Sequence, residues 1–135
     1  KNGIETVLNP APANKPSDIL LQNTSWFIPN EIEFEEIYGD VFNENNLLLF
    51  AKNVNTNVVV TLGEKGCAYI KNNSVKIIKA DSVKAIDTTG AGDAFVGAFS
   101  FALASKLDIE ECLKLALKKA TDSVTKKGTQ SSYKN

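Results

Sequence analysis

Asp87-Thr88-Thr89-Gly90-Ala91-Gly92-Asp93-Ala94-Phe95 holds the residues best equipped for chemistry in this chain. A glycine-bearing turn runs into an apolar stretch that reads as a helix, and a carboxylate falls in that helix's first turn. The first amides of a helix have no partner within it and carry partial positive charge. Glycine lets an anion come close to them, because no Cβ stands in the way. Asp93 beside such an anion hole repels a bound phosphate unless it has another task, such as taking the proton of an attacking hydroxyl. The spacing points to phosphoryl transfer to an alcohol. It equally fits an ordinary helix start, where an acidic residue suits the dipole by roughly 0.3–1 kcal/mol.

Three further segments carry polar groups at the ends of predicted elements. Asn30-x-x-Glu33 opens a helix. The pair has the spacing of a capping box, and it also has the donor types for magnesium-bound water and phosphate oxygens. Thr61-Leu62-Gly63-Glu64-Lys65-Gly66 follows the clearest strand of the chain, and ligands of open α/β sheets sit outside such carboxyl ends. A plain strand–turn–strand connection needs only the glycines. Val124-Thr125-Lys126-Lys127-Gly128-Thr129-Gln130-Ser131-Ser132 reads on its own as a helix end and a polar tail.

The Asp87 segment resembles the C-terminal signature of the ribokinase (PfkB) family of sugar kinases. Pro29-Asn30-Glu31-Ile32-Glu33 resembles the Asn-x-x-Glu motif of that family. Val7-Leu8-Asn9-Pro10-Ala11-Pro12-Ala13 and Val124-Thr125-Lys126-Lys127-Gly128 resemble segments of ribokinases proper, so the likeness runs from about Val7 to Ser132. It implies transfer of the γ-phosphoryl of ATP to the 5-hydroxyl of D-ribose. Asp93 would be the general base, and the backbone of Gly90, Ala91, Gly92 and Asp93 would hold the transferring group. By the same resemblance Asn30, Glu33, Thr61, Leu62, Gly63, Glu64, Lys65, Gly66, Gly92 and Leu117 attend the nucleotide. Glu33 would act on magnesium through water, and Asp87 with Asp93 would meet the sugar. Potassium would be ligated around Asp87, Thr89, Ser123, Lys126, Gly128 and Ser132. Leu117 is a departure, since ribokinases often place Asn or His against the adenine.

The resemblance also implies a ribokinase-like α/β fold, with residues 1–135 as its C-terminal nucleotide-binding part. The N-terminal sugar-binding and lid part would be absent, so this piece alone would turn over ribose negligibly. The parent would pair through its lids as a homodimer. A chain that opens on Lys1-Asn2-Gly3, just before a strand and without an initiator Met, agrees with that reading. A fructokinase-like or nucleoside-directed relative, or a non-catalytic nucleotide-binding module, remains an alternative.

Composition narrows the field independently. A net charge of −1 over 135 residues gives no electrostatic case for nucleic acid or an acidic membrane. With no histidine, and with Cys67 and Cys112 far apart, a structural zinc site and imidazole catalysis are both excluded. Buried, reduced thiols fit a cytoplasmic protein. No apolar run reaches transmembrane length.

Hydrophobic patterning supplies the scaffold. A strand is expected over 4–8, a short helix from Ser17 to Leu21, and an apolar run over 25–28. A helix over 30–38, in which Ile32, Phe34 or Glu35, and Ile37 recur near helical spacing, is closed by Gly39, and another runs to about Val54. Residues 58–62 read as a strand buried on both faces, and 67–70 with 75–78 as a hairpin about Asn72-Asn73. The helix over 91–105, apolar nearly all round, is expected to be buried against the sheet, with Gly97 allowing close approach. The last helix starts at Asp108 and buries Ile109, Cys112, Leu113, Ala116, Ala120 and Val124. Strands alternating with helices, then a hairpin, predict a Rossmann-like, mainly parallel sheet with a small antiparallel edge.

Overall fold

The computed structural model describes residues 4–10, 15–81 and 90–125. They fall into two compact units, residues 1–62 with 68–77 and residues 63–67 with 78–135. Five strands form one sheet in chain order: β1 (Val7–Leu8), β2 (Trp26–Phe27), β3 (Asn57–Thr61), β4 (Cys67–Lys71) and β5 (Ser74–Ile78). β1 pairs with β2 and β2 with β3 in parallel, setting Val7 opposite Trp26 and Phe27 opposite Val58. Parallel neighbours need crossovers. These are α1 (Asp18–Gln22) for the first pair and α2 (Glu31–Tyr38) with α3 (Glu44–Val54) for the second.

β4 and β5 meet through Asn72 and Asn73, whose φ values of 54° and 61° suit the two-residue turn of an antiparallel hairpin. The expected α/β sheet with an antiparallel edge is therefore present.

The first two strands are shorter than their apolar runs. At Thr6 and Ser25 side chains take the amides, while the Thr6 carbonyl still accepts the Trp26 amide at 2.9 Å. Each hydroxyl accepts the other residue's amide, at 2.9 and 3.0 Å. The strand expected over 4–8 thus begins at Val7, and Ile4 is left 70% exposed. β3 carries the centre of the sheet, with Val58, Val59 and Val60 all buried. Leu62 falls just past its end.

Helix boundaries follow local chemistry. The Ser17 hydroxyl accepts the Leu20 amide and starts α1. Gly39, left-handed at φ 91°, ends α2. The inward face of α2 is Phe34 and Ile37, three residues apart. Ile32 lies two residues from Phe34, on the other side of the helix, and is 67% exposed, so it does not share the buried face. Phe34 stacks on Tyr38 and takes Phe42 and Phe50 edge-on, with ring centroids 5.4–5.6 Å apart. Such pairs add about 0.5–1.5 kcal/mol each beyond their buried area.

In the second unit α4 (Ala91–Ala104) packs along α5 (Ile109–Val124). Phe95, Phe99 and Ala102 are the buried residues of α4. Cys112, Leu113, Ala116, Leu117 and Ser123 are those of α5. Asp108 caps α5 by accepting the Glu111 amide at 2.9 Å. The burial expected all round α4 is not observed. Gly97 is exposed, and a Cβ placed there would meet nothing within 4 Å. An apolar pattern states what a helix requires of its neighbours, and one face of α4 has none among the described residues.

Candidate functional site

The carboxyl ends of β2 and β3 lie side by side in the first unit. A parallel bridge joins Asn30 to Thr61, and the Thr61 amide donates to the Pro29 carbonyl at 3.0 Å. Two of the sequence-predicted segments are thereby brought together. From this ledge α2 departs through a complete capping box. Asn30 Oδ1 accepts the Glu33 amide at 2.7 Å, and Glu33 Oε1 accepts the Asn30 amide at 2.8 Å.

The capping reading of Asn30-x-x-Glu33 is thus realised. It commits Asn30 Oδ1 and one oxygen of Glu33, while Glu33 Oε2 makes no hydrogen bond among the described residues. No group of three or more acidic or thiol side chains gathers among the described residues. A magnesium ion, which keeps most of its water and leans on one or two carboxylates plus substrate phosphate, fits that single free oxygen. An all-protein cage does not.

The turn after β3 belongs to the second unit. Gly63, Glu64 and Lys65 form an exposed 3-10 turn, closed by the Gly66 amide on the Gly63 carbonyl at 3.1 Å. Gly66 has a local reason to be glycine. Its φ is 108°, and a Cβ there would lie 1.9 Å from the Ile78 carbonyl oxygen. Gly63, at φ 61°, has open space around it.

α4 starts without a side-chain cap. Gly90 takes the left-handed conformation at φ 86°, and the first intrahelical bond is the Ala94 amide to the Gly90 carbonyl at 2.9 Å. The amides of Ala91, Gly92 and Asp93 therefore have no acceptor inside the helix. A Cβ at Gly92 would meet nothing within 4 Å, so the approach to these amides is open there. Asp93 is exposed, and its carboxylate makes no hydrogen bond or ion pair among the described residues. An open row of helix-end amides with an uncommitted carboxylate beside it can receive an anion and accept a proton.

Leu117 is 6% exposed, so its side chain mostly completes the buried face of α5. Ser123 is 1% exposed, and its hydroxyl donates to the Ala120 carbonyl at 2.8 Å. Asp87, Thr89, Lys126, Gly128 and Ser132 lie outside the described residues. The bridge between Asn30 and Thr61 had no sequence signal, because it depends on β2 and β3 being neighbours.

Comparison with known proteins gives these features a context. The whole chain, residues 1–135, matches the pfkB family carbohydrate kinases. It is 43% identical over 138 residues to the ribokinase of Haemophilus influenzae, covering 98% of this chain and 45% of that protein. To the deoxyribokinase of Salmonella typhi it is 41% identical over 140 residues, with the same two coverages. The chain thus spans about half the length of the curated relatives it matches. The solved structure of Arabidopsis thaliana ribokinase, in complex with ribose and ATP, superposes with a TM-score of 0.84 at 27% identity. That match covers 96% of this chain and 44% of the Arabidopsis chain, and the fold is ribokinase-like. The chain belongs to the pfkB family of carbohydrate kinases.

Proposed function

We propose that the protein containing this chain transfers the γ-phosphoryl group of ATP to the 5-hydroxyl of D-ribose, and that the chain is its C-terminal, nucleotide-binding part. The observation that carries this reading is the start of α4. The Asp93 carboxylate makes no hydrogen bond or ion pair among the described residues, and it stands in the first turn behind left-handed Gly90 and unobstructed Gly92. Asp93 takes the hydroxyl proton as the sugar oxygen bonds to phosphorus. The bond from phosphorus to the bridging oxygen breaks, and ADP leaves with that oxygen. The amides of residues 90–93 hold the charge on the group in transit.

Glu33 positions magnesium through water, and Thr61 with the turn that follows attends the nucleotide. Magnesium supplies charge neutralisation between the phosphates. The ribose and ATP of the Arabidopsis structure support both substrates. A potassium site around Asp87, Thr89, Ser123, Lys126, Gly128 and Ser132 belongs to the same proposal, resting on the resemblance of that loop. So does pairing of the full-length protein as a homodimer. A cytoplasmic setting is supported by the buried thiols of Cys67 and Cys112, neither of which forms a disulfide among the described residues. The chain alone is expected to turn over ribose negligibly, since positioning is most of the catalysis in phosphoryl transfer.

A second reading, phosphorylation of 2-deoxyribose, is favoured by one observation. The Salmonella deoxyribokinase is nearly as similar to the chain as the Haemophilus ribokinase is. Both are tested by giving the full-length protein ATP, magnesium and a panel of ribose, deoxyribose, fructose and nucleosides, and measuring sugar-dependent ADP release. The highest kcat/KM on ribose supports the first reading. Preference for deoxyribose moves the assignment to the second, and release with none of the panel contradicts both.

A further inference from the structure

The amino ends of β2 and β3 border a cavity that phosphoryl transfer does not use. It lies wholly within the first unit, where Glu5, Thr24 and Ser25 line it together with Asn55, Thr56 and Asn57. Its volume of about 510 Å³ is that of a ligand site. Ser25 precedes β2 and Asn57 opens β3, whereas Asn30 and Thr61 stand at the carboxyl ends of the same two strands.

The donors of this wall are already spent on backbone. Thr24 Oγ1 donates to the Leu20 carbonyl at 2.7 Å, Thr56 Oγ1 to the Thr24 carbonyl, and Asn57 Nδ2 to the Ser25 carbonyl at 2.9 Å. Acceptors are left over. Glu5 Oε2 accepts the Trp26 indole N–H at 2.8 Å, which holds the carboxylate in place, while Glu5 Oε1 makes no hydrogen bond among the described residues. Asn57 Oδ1 accepts none among them either. α3 ends at the same wall, with left-handed Asn55 at φ 53° following its last turn. The last carbonyls of a helix carry partial negative charge.

Held acceptors, one carboxylate and the negative end of a helix call for a ligand that brings donors and a positive charge. A primary ammonium has three donors and no acceptor. We propose that this cavity binds a small polar molecule bearing a primary ammonium group, its nitrogen against Glu5 Oε1 and Asn57 Oδ1. Calcium, which takes roughly six to eight oxygen ligands, is poorly served by a single carboxylate. The wall contains no thiol, amine or imidazole, so the ligand is held there rather than transformed.

The one tryptophan of the chain reports on the site, because the carboxylate that receives the ammonium also holds its indole. Trp26 emission of the chain is followed at neutral pH and constant ionic strength during titration with ethanolamine, tetramethylammonium or ethylene glycol. Ethanolamine is expected to change it saturably. Tetramethylammonium, which has the charge without the donors, and ethylene glycol, which has hydroxyls without the charge, are expected to leave it unchanged. Glu5→Gln keeps an oxygen for the indole but loses the charge, and should weaken ethanolamine binding about tenfold. Ethanolamine should also raise the thermal midpoint of the unaltered chain more than that of the variant.

Absence of a saturable change with ethanolamine overturns the proposal. So does an equal response to tetramethylammonium, which reduces the effect to charge alone, or an unchanged affinity in the glutamine variant, which puts the amine elsewhere. No turnover is read, so the kinase assignment can fail without touching this result, and the reverse also holds.

Discussion

α2 and α4 begin on the same grammar and are finished in opposite ways. Each has an acidic residue three positions into the helix, counted from its cap: Glu33 after Asn30, Asp93 after Gly90. In α2 the cap residue and the acid exchange hydrogen bonds, so the helix start is closed by its own side chains. In α4 the cap is a left-handed glycine, which has no side chain to cap with, and the Asp93 carboxylate makes no hydrogen bond or ion pair among the described residues. A side-chain cap stabilises a helix by about 0.5–2 kcal/mol, and α4 forgoes it. The difference teaches that acid spacing alone does not separate a structural helix start from one proposed to be functional. What separates them is whether the amides and the carboxylate already have partners.

Substitutions can be ranked by how hard they press on that contrast. The largest effect on stability is expected at a glycine whose reason is purely local. Gly66→Ala forces a Cβ against the Ile78 carbonyl at a φ of 108°. It should cost about 2–3 kcal/mol in denaturant unfolding. A tolerated alanine would mean that the turn is not held as described.

Next comes the closed start. Asn30→Ala removes the acceptor for the Glu33 amide and should cost about 1 kcal/mol by the same measurement. The open start should behave differently. Asp93→Asn breaks no hydrogen bond among the described residues and weakens the interaction with the helix dipole, so stability should fall by no more than about 0.5 kcal/mol. Equal losses at the two positions would erase the distinction between them.

The smallest effect near neutral pH concerns neither helix. Burial pushes the Cys67 thiol up to about 12, so the folded chain keeps its proton where the unfolded chain has lost it. Stability from this group is fully present below pH 9.0, the ordinary thiol value, and declines as pH rises from there towards about 12. A Cys67→Ala variant should show a shallower alkaline decline in denaturant midpoints.

Much of the scaffold was readable before any coordinates, wherever a residue's local chemistry leaves it little choice. Ser17, Asn30 and Asp108 cap the helices they were expected to open, and Gly39 ends α2. Asn72 and Asn73 tolerate the positive φ a tight hairpin requires. The run of three valines in β3 reads correctly as buried on both faces.

What was not readable depends on supply rather than demand. Ile32 recurs near helical spacing with Ile37, yet the buried face of α2 belongs to Phe34 and Ile37, and Ile32 stays exposed. α4 looked buried all round because its sequence cannot say which neighbours are present. The joining of Asn30 to Thr61 was illegible for the same reason, being a property of strand order. Five of the expected cation ligands, Asp87 and Thr89 among them, lie outside the described residues. The potassium site therefore rests on resemblance, while the α4 start has coordinates of its own.

The central claim is the proposed role of Asp93, whose carboxylate has no partner among the described residues, in taking a proton. Its most direct test is the initial rate of ATP-dependent ribose phosphorylation by the full-length protein and its Asp93→Asn variant, at matched thermal midpoints. The account predicts a fall in kcat of roughly 10²–10⁴-fold with little change in stability. Near-normal turnover in the asparagine variant would contradict it.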